Sequence, residues 1–310
     1  MPSHNLVIPN ASRTTRYGIA MTEKYVLSTG EAAAERLRLL NEIFGSGSQR
    51  LLRNAGLAPG MRVAEIGCGT GLVSLWMAEG VGAHGSVTGV DASAEQLSVA
   101  ERGAEAAGLT NTSFHQAGAY DTGLAGESFD IVYARFLLCH LAEPSRALAE
   151  MGRILKPAGI LVCEDHDDGG IFTEPPTRAY RRLVEISEAV NRAHGLDSHI
   201  GLKLPRLIME AGFANPDVHV DQIAVLWGQS KRFWELTLRE AAPAILEAGA
   251  STADELEGIY REMQAIAKRP YRATDVSQSD ASLGAKVAQM STRPRSPGTR
   301  GLWAPTKEFT

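Results

Sequence analysis

Two groups of residues in this 310-residue chain have the types and spacing to do chemistry. The first is "VAEIGCGTG", Val63 to Gly71, in which Glu65 precedes glycines at 67, 69 and 71, with Asp91 twenty residues further on. Glycines between a strand and a helix bring backbone N–H groups and the positive helix end close to a ligand. A carboxylate at the end of the next strand has two oxygens suited to a vicinal diol. The second group is His140 in "LLCHLAEP" and the cluster "EDHDDGG", Glu164 to Gly170, each following a strand-like run. Imidazoles there suit a base or an orienting group: His166 first, with His140 and His199 behind it. A lone histidine is more often a satisfied structural group than a catalyst, and the same acidic cluster could bind a divalent metal.

The elements that must position these groups alternate from Met61 onward. "RVAEIG", "SVTGVD", "TSFHQAG", "FDIVYAR", "ILVCED" and "DVHVDQIAV" have the β-rich composition of strands. Helical segments lie between them, one capped by Ser93 with Gln96 three residues later and one opened by Pro144. Such alternation predicts a doubly wound α/β sheet, mostly parallel and seven-stranded, with its ligands at the carboxyl edge. The predicted organisation is a flexible segment over 1–24, N-terminal helices forming a flap over 25–60 and broken at Gly45–Gly47, and a core over 61–228. A helical cap over 229–282, a last antiparallel strand over 283–291 and a tail over 292–310 complete it. Helices are expected near Thr177–Ala193 and Pro205–Ala211.

Composition narrows the classes. Hydrophobic residues make up 44% of the chain and the net charge is −5, so no global field favours nucleic acid or an anionic membrane. Basic residues near the two ends, among them Arg13 and Arg300, read as solvated tails. No apolar run reaches the length of a membrane span, and the first residues lack a secretory apolar region. Cys68, Cys139 and Cys163 form no paired motif, which argues against a disulfide framework or structural zinc. A cytoplasmic protein is expected. The N-terminal helices are long enough to dock on a second copy as a homo-oligomer.

The glycine spacing separates two cofactor classes. Dinucleotide sites call for G-x-G-x-x-G, and the third position here is Leu72. "EIGCGTG", "VTGVDAS", "SFDIVYARFLLCHL" and "EMGRILKPAGILV" together resemble the class I S-adenosylmethionine-dependent methyltransferases, in their small-molecule branch, over about Met61 to Val225. The resemblance implies a Rossmann-like methyltransferase fold with S-adenosylmethionine as cofactor. Gly67, Cys68 and Gly69 would lie against it, Glu65 would orient the loop or the aminopropyl end, and Asp91 would accept the ribose hydroxyls. Ala92 and Gln96 would border the adenine, Ala119 would meet a ring nitrogen, and the position of Arg135 would meet the ammonium. Tyr25 is a candidate flap residue over the cofactor and, with His166 and His140, a candidate catalytic residue.

One departure stands out. Where the family often has Gly-Asp-Ala after strand three, this chain has Ala117-Gly118-Ala119, leaving Asp121 or a main-chain oxygen for the adenine amino group. Metal-dependent relatives need an acid where this chain has Ala134-Arg135, so no metal is expected. The acceptor is expected to be a small, largely hydrophobic metabolite of specialised metabolism, methylated on O, N or C. Trp227, Phe233, Trp234 and Tyr260 lie near the expected pocket mouth, as cap core or as substrate contacts. The alternatives are a nicotinamide-dependent oxidoreductase and a non-catalytic cofactor-binding protein.

Overall fold

In the computed structural model the described residues are 27–269 and 282–294. Five strands carry the parallel register: β1 (Arg62–Ile66), β2 (Ser86–Asp91), β3 (Thr112–Gln116), β4 (Phe129–Arg135) and β5 (Leu155–Glu174). Two more close one edge, β6 (Phe213–Val225) and β7 (Ser282–Pro294), in the order β3-β2-β1-β4-β5-β7-β6. β7 pairs antiparallel with both β5 and β6, as the last strand was expected to do, so the parallel pairing covers five of the seven strands and stops there.

Alternation along the strands builds a core on each face. Val63, Ile131, Tyr133 and Val162 face one way, onto the end of α1 (Glu31–Asn54) and α2 (Leu72–Val81). Ala64, Val132, Ala134 and Cys163 face the other, onto α4 (Pro144–Ile154) and α6 (Ile200–Glu210). The helix α3 (Ala94–Ala106) starts at Ser93, whose hydroxyl accepts from the Gln96 N–H. A third core joins α1 to α5 (Arg178–Ala193), α7 (Phe233–Glu247) and α8 (Ala253–Lys268), through Leu39, Phe44, Leu183, Ile186, Phe233 and Ile259.

Three elements differ from expectation. The N-terminal region is one continuous 24-residue helix, α1, with no break at Gly45–Gly47. Both glycines are buried on its inner side. Burial of Leu39, Phe44, Leu51 and Leu52 along the same helix outweighs the intrinsic cost of about 1 kcal/mol per helical glycine. Strand β5 runs through the acidic cluster to Glu174 because β7 pairs with it from Leu161 to Glu174. Helix α6 starts at Ile200, so Pro205 lies inside it. Gly201 anchors that early start: a Cβ there would fall 2.7 Å from the His166 carbonyl oxygen. No helix among the described residues is long and apolar enough to cross a membrane.

Candidate functional site

The carboxyl ends of β1, β2, β4 and β5 open onto a cavity of about 1120 Å³ that continues beneath α5 and α7. The glycine loop forms one wall. Gly67, Gly69 and Gly71 all have positive φ, at 74°, 53° and 75°. A Cβ on Gly67 would meet Leu137 at 2.9 Å, and one on Gly71 would meet the Ala100 side chain at 2.7 Å, so bare backbone is required twice over. The N–H groups of Gly67 and Cys68 both donate to the Val90 carbonyl, at 2.8 and 3.0 Å, which ties the loop to β2.

Asp91 holds that loop from the other side. Its Oδ2 accepts from the Gly69 N–H and its Oδ1 from the Ser93 N–H, both at 2.9 Å, and burial raises its pKa. Each oxygen keeps a second lone pair beside the cavity. Glu65, 3% exposed, accepts from the Ser74 hydroxyl; burial drives its carboxyl up to about 7, against that hydrogen bond and the nearby Arg135 charge. Cys68 is also raised, by burial first and then by Glu65 and Asp91, so it stays a thiol in the loop.

Gln96 is buried on the same wall, and its Oε1 has no partner among the described residues. Ala92 and Ala119 line the cavity as well. Asp121 also reaches the lining, with its Oδ1 accepting from the Gly123 N–H at 3.3 Å. The guanidinium of Arg135 turns toward α1, donating to Asn41 Oδ1 at 3.2 and 3.3 Å and to Ser48 Oγ at 3.1 Å. Tyr25 lies outside the described residues.

The second group of residues comes together across the 3-10 turn Leu138–His140 and strand β5. His166 is clamped: Nδ1 lies 3.3 Å from Asp165 Oδ1 and Nε2 lies 3.1 Å from Asp168 Oδ1. Burial lowers its pKa, but Cys139 and the two carboxylates raise it more, and the ring is held well above its ordinary value as an imidazolium. Against burial, the His166 ring and the Ser187 hydroxyl hold Asp168 below the usual carboxylate range. His140 goes the other way: burial and the neighbouring His166 charge lower it to about 4, so it is neutral at physiological pH. Both rings line the cavity. His199 pairs with Asp167 at 2.5 Å on the flank and is absent from the lining.

One ligand atom each from Cys139, Asp165 and His166 lies within 4.8 Å of the others, the one such group of three found among the described residues. Burial first, then Asp165, pushes the Cys139 thiol up to about 12. An ion there would have to displace protons from both the thiol and the imidazolium.

The aromatic expectation holds for three of its four residues. Phe233 and Trp234 line the cavity and Tyr260 donates to the Leu238 carbonyl inside the helical core, whereas Trp227 is 71% exposed. Three lining residues that sequence reading passed over bear on the chemistry, namely Phe136, Phe44 and Arg36. Phe136 follows β4 with φ 51°, unusual for a bulky side chain, and its ring stands 4.9 Å from Phe44 and 5.9 Å from His166. The third is Arg36 on α1, 4% exposed, with Nε donating to Glu240 Oε2 at 2.8 Å. A charged residue three positions from Ala33 and three from Leu39 sits on the buried stripe, and that was the signal available for it.

Known proteins are similar to this chain over its core. A family profile described as a methyltransferase domain matches residues 64–163. A demethylmenaquinone methyltransferase of Listeria welshimeri is 37% identical over 172 residues, covering 50% of this chain and 71% of that protein. The chain belongs to the class I S-adenosylmethionine-dependent methyltransferase family. Its cofactor is S-adenosylmethionine, and the nicotinamide alternative falls with that. The methyltransferase GfsG of Streptomyces halstedii is 29% identical over 166 residues, 53% of this chain and 57% of that one. The YcgJ protein of Bacillus subtilis shares the fold, with a TM-score of 0.53 at 19% identity over 80% of this chain and 97% of its own. The chain spans about half the length of the first curated relatives it matches.

The methyltransferase cofactor fits the residues present. The bare backbone at Gly67–Gly71 leaves room against the loop, Asp91 keeps two acceptor sites for a diol, and the orphaned Gln96 oxygen awaits a donor.

Proposed function

We propose that this protein transfers a methyl group from S-adenosylmethionine to a small, largely apolar acceptor held beneath α5 and α7. The observation that carries the reading is the continuity of one cavity, from Asp91 and the glycine loop to the side chains of Leu183, Ile186, Phe233 and Leu238. The name of the Listeria relative is that of an enzyme acting on a small molecule, which supports the same acceptor class. We assign the acceptor to specialised metabolism, with O, N or C as the methylated atom.

When bound, S-adenosylmethionine supplies a methyl group on a positively charged sulfur, already activated for in-line displacement. The protein's task is to align, exclude water and, for acidic acceptors, take a proton. In this reading Asp91 holds the ribose diol, Glu65 faces the cationic aminopropyl end, and Ala92, Gly67 and Gly69 let the cofactor approach the main chain. Gln96 Oε1 takes the adenine amino group, doing the work of the carboxylate missing at Gly118, while Ala119 borders the ring. His140, neutral and facing the cavity, is the base. His166 keeps both ring nitrogens protonated against Asp165 and Asp168, so it orients the wall and has no lone pair to offer.

Incubation of the full chain with methyl-labelled cofactor and an extract of source cells, followed by mass spectrometry, tests the reading. A labelled small molecule that depends on the protein and disappears with Asp91→Asn is the expected result. Label found only in protein or nucleic acid would refute the acceptor class, and no binding of S-adenosylhomocysteine would refute the cofactor site.

A further inference from the structure

Arg36 is a charged residue of the cavity lining to which the cofactor reading gives no role. Its side chain is almost wholly buried and lines the acceptor end beside Leu40, Phe44, Phe233 and Leu238. One nitrogen is spent: Nε donates to Glu240. The Nη2 atom is also buried, and it has no hydrogen-bond partner among the described residues. A guanidinium cannot shed its charge by losing a proton, and its N–H groups can only donate. Leaving such a donor unpaired in the interior is destabilising. An apolar residue at this position would avoid that cost.

The other cations on the lining are already engaged. Arg135 is held by Asn41 and Ser48, Arg146 pairs with Glu143, and His166 is clamped between Asp165 and Asp168. Among the described lining residues only Arg36 keeps an unspent positive donor, its Nη2 buried against the apolar part of the cavity. We propose that Arg36 Nη2 is the subsite for an anionic oxygen, carboxylate or phenolate, on an otherwise apolar acceptor. The Glu240 carboxylate fixes the guanidinium plane from behind, as a positioning residue. The proposal rests on the reading of this end of the cavity as the acceptor site, and it narrows that acceptor from any hydrophobic metabolite to one carrying an acidic oxygen.

The probes are 2-naphthoate, its neutral counterpart 2-naphthamide, and 2-naphthol, titrated calorimetrically into the full chain saturated with S-adenosylhomocysteine. The demethylated cofactor has a neutral sulfur, so a preference for the anion reports on the protein. Hydrogen bonds to charged groups predict that wild-type protein binds naphthoate or ionised naphthol about tenfold or more tighter than naphthamide. Naphthol binding accompanied by proton release to buffer marks a phenolate source, and tighter naphthoate binding marks a carboxylate source. The double variant R36Q/E240Q replaces the ion pair by a neutral pair of similar shape and should reduce the preference to less than about threefold. Arg36→Lys keeps a charged partner for Glu240 without the second nitrogen and should do the same. Equal wild-type affinities, no measurable binding of either anion, or a preference that survives in both variants overturns the proposal. Binding of S-adenosylhomocysteine, measured first on each protein, keeps this failure distinct: its loss in the wild type would strike the cofactor reading instead.

Discussion

Replacing Glu65 by Gln should make the protein more stable, and only above pH 5. Glu65 is nearly inaccessible, and burial raises its carboxyl from an ordinary 4.5 to about 7. Between those values the folded protein retains a proton that the unfolded chain has released. Stability therefore falls as pH rises through that window, by about 3 kcal/mol in total. Gln has the shape of the protonated acid and no ionisable group, so it escapes the penalty. Urea unfolding at pH 5, 6, 7 and 8 reads the effect. The two proteins should be close at pH 5, and the variant should be ahead by about 3 kcal/mol at pH 8. A difference that stays constant across the series, or a variant less stable at pH 8, refutes the reasoning. The acid is retained at this cost for its ligand. The same variant should accordingly bind S-adenosylhomocysteine about tenfold more weakly at pH 8, in a calorimetric titration.

Asp91→Asn puts an NH2 group against one of two loop N–H donors, from Gly69 or Ser93; affinity for S-adenosylhomocysteine should fall at least about tenfold, and unchanged affinity would remove Asp91 from the site. Gly71→Ala drives a Cβ to 2.7 Å from Ala100 at φ 75° and should cost about 2–4 kcal/mol in urea unfolding; adding Ala100→Gly should return the steric part and leave the backbone part. Glu150, though burial opposes it, is held down at about 2 by Arg153 and Thr122, so its contribution is complete above 4.5 and is lost as pH falls toward 2. Glu150→Gln should remove about 2 kcal/mol at pH 7, with Arg153 half in solvent limiting the figure, and should flatten the acid limb of the stability curve.

What the sequence disclosed and what it hid divide along the range of the forces involved. The parallel block was legible because strand alternation and the Ser93 cap are local: Val63 and Ala64 face opposite cores whatever the rest of the chain does. The continuity of α1 was hidden because Gly45 and Gly47 have poor helix propensity, and what keeps them helical is the packing of Leu39, Phe44, Leu51 and Leu52, on either side of them, into cores shared with other elements. The length of β5 depended on β7, more than a hundred residues away. The site split in the same manner. Glycine spacing and the place of Asp91 are readable in a short stretch. The protonation of His166 depends on Asp168 and, through it, on Ser187 of α5. Arg36 and Glu240, 204 residues apart, meet only in the folded chain.

The distribution of charge around the cavity gives the proposed chemistry its physical sense. Glu65 and Asp91 make one end suitable for a cationic cofactor, and Arg36 makes the other suitable for an anionic acceptor, with apolar walls from Phe44, Leu183 and Phe233 between them. Methyl transfer from a sulfonium to an oxyanion turns two opposite charges into two neutral molecules. In water each charge is stabilised by its own shell, and their approach gains little. Between apolar walls the effective dielectric is lower, the attraction is stronger and the neutral products cost less to accommodate. A neutral His140 fits this scheme better than a charged one, since it can accept the proton of an acidic acceptor without first adding to the positive charge at that wall. The clamped His166 cation, balanced by Asp165 and Asp168, is part of what keeps His140 neutral.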